Sequence, residues 1–178
     1  MIEAGAEAPD FSLRNQDGEK VTLESLRGRS IVLVFYPLDF SPVCTDQLNV
    51  YQEVLGELQS RGVDLYGVSV DSAYSHKAFQ EKLGVTIPLL ADFHPKGEVA
   101  GKFGVYEEDR GVSARALVMI GPDLEVKWSY RSPSPLEIPG VNLIFDALEA
   151  HAPALEATRK PPDDLQADDG GPSAAGAG

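Results

Sequence analysis

Ser30–Tyr36 reads Ser-Ile-Val-Leu-Val-Phe-Tyr, a run with no polar residue after its first position. A strand facing water on one side alternates apolar and polar residues; this run does not. It must be covered on both faces, which calls for a parallel or mixed sheet with a helix layer on each side. Pro37 ends the run. Residues 43–60 then take up helical spacing, with Leu48, Tyr51, Leu55 and Leu58 on one stripe. Gly62 sits just past the end, where a helix stop belongs.

The rest of the chain repeats the alternation. Val63–Val70 is a second strand. Asp71 is placed to cap a second helix, with Phe79 and Leu83 facing inward and Gly84 ending it. Ile87–Leu90 is a short strand and Gly97–Phe103 a short helix. Ala116–Ile120 and Glu125–Tyr130 pair across Gly121-Pro122-Asp123, and Asn142–Ala150 forms the last helix. Ahead of all this, Phe11–Leu13 and Lys20–Leu23 flank the turn cluster Asn15-Gln16-Asp17-Gly18 as a hairpin. The order predicts an α/β fold, a thioredoxin-like mixed β-sheet flanked by helices, with an N-terminal β-hairpin extension.

The 178 residues suit one domain. After Ala152 the composition changes. Residues 153–178 hold four Pro, four Gly and six Ala, with Leu155 and Leu165 as the large apolar groups. So little apolar surface cannot offset the entropy of ordering. A domain at 1–152 followed by a disordered acidic tail at 153–178 is expected. The formal charge of −13 belongs mostly to the domain, because the tail carries five carboxylates against two cations. Such acidity argues against nucleic-acid backbones, which demand Lys and Arg, and against anionic membrane surfaces. No apolar run approaches the length of a membrane span. The N-terminus lacks the basic and apolar regions of a secretory signal, so a cytoplasmic location is expected.

One cysteine, Cys44, excludes an intramolecular disulfide framework and a Cys-cluster zinc site within one chain. His76, His94 and His151 lack ligand spacing, so no metal is expected. There is no phosphate loop or dinucleotide fingerprint, so no cofactor is expected either. Cys44 falls in the segment joining the first central strand to the long helix, a usual place for ligand sites in α/β sheets. It lies in the helix's first turn, where free N–H groups and the helix dipole favour an anion such as a thiolate. Spacings of four, three and four to Leu48, Tyr51 and Leu55 put the thiol on the inward stripe, at the bottom of a pocket. A structural role as a small buried hydrophobe stands beside the reactive one.

Pro37-x-x-x-Ser41-x-x-Cys44, within Phe-Tyr-Pro-Leu-Asp-Phe-Ser-Pro-Val-Cys, resembles the Pro-x-x-x-Thr/Ser-x-x-Cys pattern of the peroxiredoxins. The opening APDFSLRNQDGEKVTLESLRGR and the run PLLADFHPKGEVAGKFGVYEEDRGVSARALVMI are similar to that family too, and the resemblance covers roughly residues 4–150. It implies a thiol-dependent peroxidase, acting on hydrogen peroxide, organic hydroperoxides or both. Cys44 would be the peroxidatic nucleophile, forming a sulfenic acid. Ser41 would hydrogen-bond the peroxide, Pro37 would shield the pocket, and Arg115 would set its guanidinium beside the sulfur. The family also implies a homodimer. Simpler roles exist for each: Pro37 as a strand stop, Ser41 as a helix cap, Arg115 as a partner of Glu107, Glu108 or Asp109. Arg110 and Arg131 rival Arg115, which is preferred because it opens an apolar strand.

Many peroxiredoxins resolve the sulfenic acid with a second cysteine, in some cases five residues on. Asn49 stands there in this chain. A disulfide between two Cys44 thiols needs sulfurs at ~2 Å, which a pocket disfavours. Resolution by an external thiol is expected, from a small thiol or a thioredoxin- or mycoredoxin-like protein. This is the one-cysteine mechanism, and the stretch DFHPKGEVAGKFGVY resembles the bacterial AhpE-like branch. Three other readings stand beside it, the last a non-catalytic scaffold. Ser41-Pro42-Val43-Cys44 has C-x-x-C spacing with its first Cys replaced, which fits a monothiol disulfide reductase. A redox sensor would signal through oxidised Cys44.

Overall fold

The computed structural model describes residues 1–157. The apolar run forms β3 (Ser30–Phe35), and all six of its residues are buried. It pairs in parallel with β4 (Val63–Ser69) and antiparallel with β8 (Ala116–Ile120). Around this centre stand β1 (Ser12–Arg14), β2 (Lys20–Thr22), β5 (Leu89–Ala91) and β9 (Val126–Arg131). The seven-stranded order is β2-β1-β5-β4-β3-β8-β9. The helices are α1 (Pro42–Ser60), α2 (Ala73–Leu83), α3 (Glu98–Lys102) and α4 (Val141–Ala157). This is the thioredoxin-like mixed sheet that the alternation predicts.

The alternating faces of β3 feed two cores. Ile31, Leu33 and Phe35 join Phe11, Phe103 and Val105 on one side. Val32, Val34 and Tyr36 join Cys44, Leu48, Tyr51, Leu55 and Leu58 of α1, with Ile144 and Leu148 of α4, on the other. The uninterrupted apolar run is therefore explained by burial on both faces. Cys44 belongs to the α1/α4 layer because its stripe does. Gly67 allows β4 to lie close: a Cβ there would meet Leu89 Cδ2 at 2.6 Å and Tyr36 Cε1 at 3.2 Å.

The structure differs from the sequence expectation at three places. Ser72, not Asp71, caps α2, its hydroxyl accepting from Ser75 N. Asp71 is drawn away, accepting from Ser69 Oγ (2.5 Å) and from Asp39 N (2.9 Å). A small hairpin, β6 (Tyr106–Glu107) with β7 (Val112–Ser113), lies where no strand was expected, its strands being too short to show a period. The last helix runs beyond Ala150 and through Pro153 to Ala157. Leu155 is buried against the α1/α4 core, and that burial offsets part of the cost of a proline inside a helix. The expected boundary at 152/153 thus cuts a helix. The remainder of the expected tail, 158–178, lies outside the described residues. Among those described, no helix is long and apolar enough to cross a membrane.

Candidate active site

The turn from β3 to α1 carries the site. Ser113 Oγ donates to Tyr36 O at 2.8 Å, fixing the end of the strand. Pro37 follows, buried. Phe40 takes a left-handed backbone (φ 63°), uncommon for a bulky residue. Ser41 is the α1 N-cap by position, and Pro42 occupies the first helical turn, where its missing N–H costs nothing. The Ser41 hydroxyl makes no capping bond; it donates instead to Leu38 O at 3.1 Å. The simple capping role for Ser41 is thereby replaced by a contact within the turn, which tightens the loop around Phe40.

Cys44 is a free thiol in the first turn of α1, with no exposed surface. The N–H groups of that turn lie outside the helix's own ladder and present positive potential to the sulfur's end of the helix. Arg115 is only 2% exposed. It precedes Ala116, which pairs with Phe35 at the end of β3, so the sheet register delivers it beside the turn. Its Nη2 donates to Cys44 Sγ at 3.5 Å and to Pro135 O at 2.8 Å. Its Nε also donates to Pro135 O, at 3.0 Å, and its Nη1 to Gln47 Oε1 at 2.5 Å. The Pro135 and Gln47 partners are neutral, and among the described residues Arg115 has no carboxylate partner. Its positive charge is left for the sulfur. The rival arginines are accounted for: Arg110 and Arg131 both bind Glu107 at the surface, at 2.5 and 3.1 Å.

Gln47 is part of the site that sequence reasoning missed. It lies one turn after Cys44, fully buried, on a stripe otherwise apolar. A polar residue at an inward position was the available signal. Next on that stripe, Tyr51 donates to Pro139 O at 2.7 Å. Burial pushes its phenol up to about 12, against smaller opposing effects of the Gln47 amide and the Arg115 charge. Tyr51 therefore stays a hydroxyl. Pro135 and Pro139 contribute through their carbonyls, which no side-chain pattern announces. A cavity of about 550 Å³ lies elsewhere, at the opening ends of β3 and β4 among Arg29, Arg61, Asp64 and Leu148.

No metal-ligating cluster of His, Cys, Asp and Glu occurs among the described residues. What the arrangement offers is thiol chemistry: a buried sulfur in a helix's first turn, one guanidinium donating to it, and a small hydroxyl on the adjoining loop. A thiolate is the nucleophilic form of cysteine. On this sheet, such a site defines the class: a thiol-dependent peroxidase, an oxidoreductase of the peroxiredoxin kind. The AhpC/TSA family model matches residues 4–129, and the chain belongs to that family. Alkyl hydroperoxide reductase E of Mycobacterium tuberculosis is 34% identical over 151 residues, 84% of this chain and 98% of that protein. Peroxiredoxin 2 of Thermoplasma acidophilum is 37% identical over 136 residues, 73% of this chain and 67% of that one. The crystal structure of Enterococcus faecalis AhpC superposes with a TM-score of 0.79 at 29% identity, covering 91% of this chain and all of that one. The resemblance to the AhpE-like branch, drawn from a single stretch of sequence, agrees with the first of these.

Proposed function

We propose that Cys44 is the peroxidatic nucleophile of a one-cysteine peroxidase whose sulfenic acid is resolved by an external thiol. The Cys44 thiolate attacks one oxygen of the peroxide. The O–O bond breaks, the leaving oxygen departs as alkoxide or hydroxide and takes up a proton, and Cys44 is left as the sulfenic acid. Arg115 holds the thiolate and stabilises charge moving along the S–O–O axis. Ser41 turns its hydroxyl from Leu38 O to donate to the peroxide, and Pro37 screens the sulfur from water. A first external thiol condenses with the sulfenic acid, releasing water and forming a mixed disulfide. A second thiol releases Cys44 and leaves as the oxidised reductant. The reductant is a small thiol or a thioredoxin- or mycoredoxin-like protein.

The observation that carries this reading is the Arg115 Nη2 contact to Cys44 Sγ at 3.5 Å. A monothiol disulfide reductase has no comparable use for a guanidinium held on its sulfur by neutral groups. Leu38 and Phe40, 42% and 48% exposed, give the turn an apolar rim; this supports organic hydroperoxides as substrates beside hydrogen peroxide. We assign the protein to the cytoplasm, where a lone thiol stays reduced, and to a homodimer, as the family resemblance implies.

Stoichiometric hydrogen peroxide should oxidise Cys44 rapidly, seen as labelling by a sulfenic-acid trap. Absence of labelling at low peroxide would overturn the peroxidase assignment. Pre-oxidised protein offered separate thiols should return to the reduced state with at least one of them in sustained turnover. Rapid oxidation without turnover on any thiol would favour the redox sensor.

A further inference from the structure

Asp39 and His76 are buried together, with both side chains fully inaccessible. Neither is hydrogen-bonded to Cys44, yet Asp39 lies in the turn between Pro37 and Ser41. Its carboxylate collects three side-chain contacts. Tyr36 donates from its hydroxyl to Oδ1 at 2.6 Å, Ser75 donates to Oδ2 at 2.8 Å, and His76 Nδ1 lies 2.9 Å from Oδ2. Its backbone N–H donates to Asp71 Oδ2. Burial raises the Tyr36 phenol well above its ordinary range, and the Asp39 charge adds to this, so Tyr36 remains a donor. His76 Nε2 faces Leu90 O at 3.0 Å. A carbonyl only accepts, so Nε2 carries a proton. A second proton must lie between Nδ1 and Asp39, since two bare lone pairs cannot face each other at this distance.

We propose that His76 is a positioning residue for the peroxide reaction: through the proton it shares with Asp39, it holds the Pro37–Ser41 turn in its reactive shape. Phe40 needs such a brace. A left-handed backbone at a bulky residue persists only where the surroundings over-determine it. Asp39 immediately precedes Phe40, and Ser41 immediately follows. Four contacts on Asp39 come from three separate elements: the end of β3, the end of β4 and the start of α2. They tie the turn to the sheet and to α2 at once. The Phe40 ring itself rests on Phe79 of α2, centroid to centroid at 5.0 Å. His76 also reaches β5 through Leu90, so it couples the turn to the adjoining strand. The inference rests on the peroxidase reading above. It goes beyond it by giving a residue remote from the sulfur control over Ser41, and thus over peroxide rather than over the thiol.

The experiment compares two reactions of Cys44 in the full chain. Oxidation by hydrogen peroxide uses the donors on the turn. Alkylation by iodoacetamide uses only the thiolate. His76→Leu removes the shared proton; His76→Asn keeps an N–H near the Nδ1 position. The expected result is a peroxide rate constant lowered about 10- to 100-fold in His76→Leu, as for a small misplacement of reacting groups. Its alkylation rate should stay within about threefold of wild type, and His76→Asn should recover most of the peroxide rate. Equal peroxide rates in wild type and His76→Leu, parallel loss of both reactions, or no recovery in His76→Asn would each overturn the inference. If His76→Leu does not fold, Tyr36→Phe with Ser75→Ala weakens the same carboxylate, and the same split is required. A wild-type protein that fails to react with peroxide sinks the peroxidase reading and this inference with it. A reactive wild type with an indifferent His76→Leu sinks this inference alone.

Discussion

Arg115 is proposed as a site residue because, among the described residues, no carboxylate pairs with it. Its N–H groups go to a carbonyl, an amide oxygen and a sulfur. A planar guanidinium presents its donors to these partners in a fixed fork, whereas an ammonium is a point donor on a flexible stem. Arg115→Ala should slow sulfenic-acid formation about 10²- to 10³-fold, the usual loss for a preorganised donor. Arg115→Lys should recover little, and Arg110→Ala should change the rate by about twofold or less, since Arg110 is committed to Glu107. Equal effects at 110 and 115, in a stopped-flow measurement with hydrogen peroxide, would refute the choice of arginine. Gln47→Ala removes the acceptor at Nη1, a hydrogen bond to a charged group. It should cost roughly tenfold in the same rate while leaving the circular dichroism spectrum unchanged. Arg115 was legible in the sequence as a cation opening an apolar strand. Gln47 was not singled out, because a helical stripe read for hydrophobicity passes over the one polar residue on it.

At the scale of elements, local signals decide ends and tertiary contacts override them. Helix α2 starts at Ser72 because its hydroxyl is free to accept from Ser75 N. The preceding Asp71, an equally good cap by type, is recruited by the turn that carries Asp39. Ser72→Ala should therefore destabilise by ~1 kcal/mol, readable in urea unfolding, without altering peroxide reactivity. The β8–β9 turn gives a pH dependence. Partial burial alone would raise the Asp123 carboxyl, but hydrogen bonds from Lys127 and from Glu125 N, with the Lys127 charge, outweigh it and hold the group below its ordinary value. A depressed carboxyl adds stability that is present above the unfolded-state value of about 3.9 and is lost as pH falls through the lower folded-state value. Wild type should lose more thermal stability than Asp123→Asn between about pH 6 and about pH 3. The difference should be on the order of 1 kcal/mol or less, because Asp123 remains partly in solvent. Identical pH profiles would show that the Asp123–Lys127 pair is energetically silent.

For the whole molecule, the two cores on β3 make the site a product of assembly. Cys44 arrives on α1, Arg115 just ahead of β8, Gln47 on α1 and the Pro135 carbonyl on the segment between β9 and α4. They meet because β8 runs antiparallel beside β3 while α1 and α4 pack on one face. The chemistry is expected to reside in residues 1–157. Ending the chain after Ala157 retains Leu155 in the core, and Cys44 oxidation should stay within about twofold of the full chain, as for changes remote from the reacting groups. A larger loss, measured on folded protein, would place part of the site in 158–178.

The sequence by itself determined the central strand, since an unbroken apolar run has nowhere to go but between two layers. It determined the order of strands and helices, because periods of 2 and 3.6 are local. It also placed Cys44 at a helix start and on the inward stripe, both matters of spacing. Only the tertiary structure decided which arginine meets the sulfur, since sheet register joins residues 71 positions apart in the chain. It alone supplied the Pro135 carbonyl, because a main-chain group carries no side-chain signature. It alone carried the last helix past Pro153, because burying Leu155 is a contact with a distant core that local propensity cannot see.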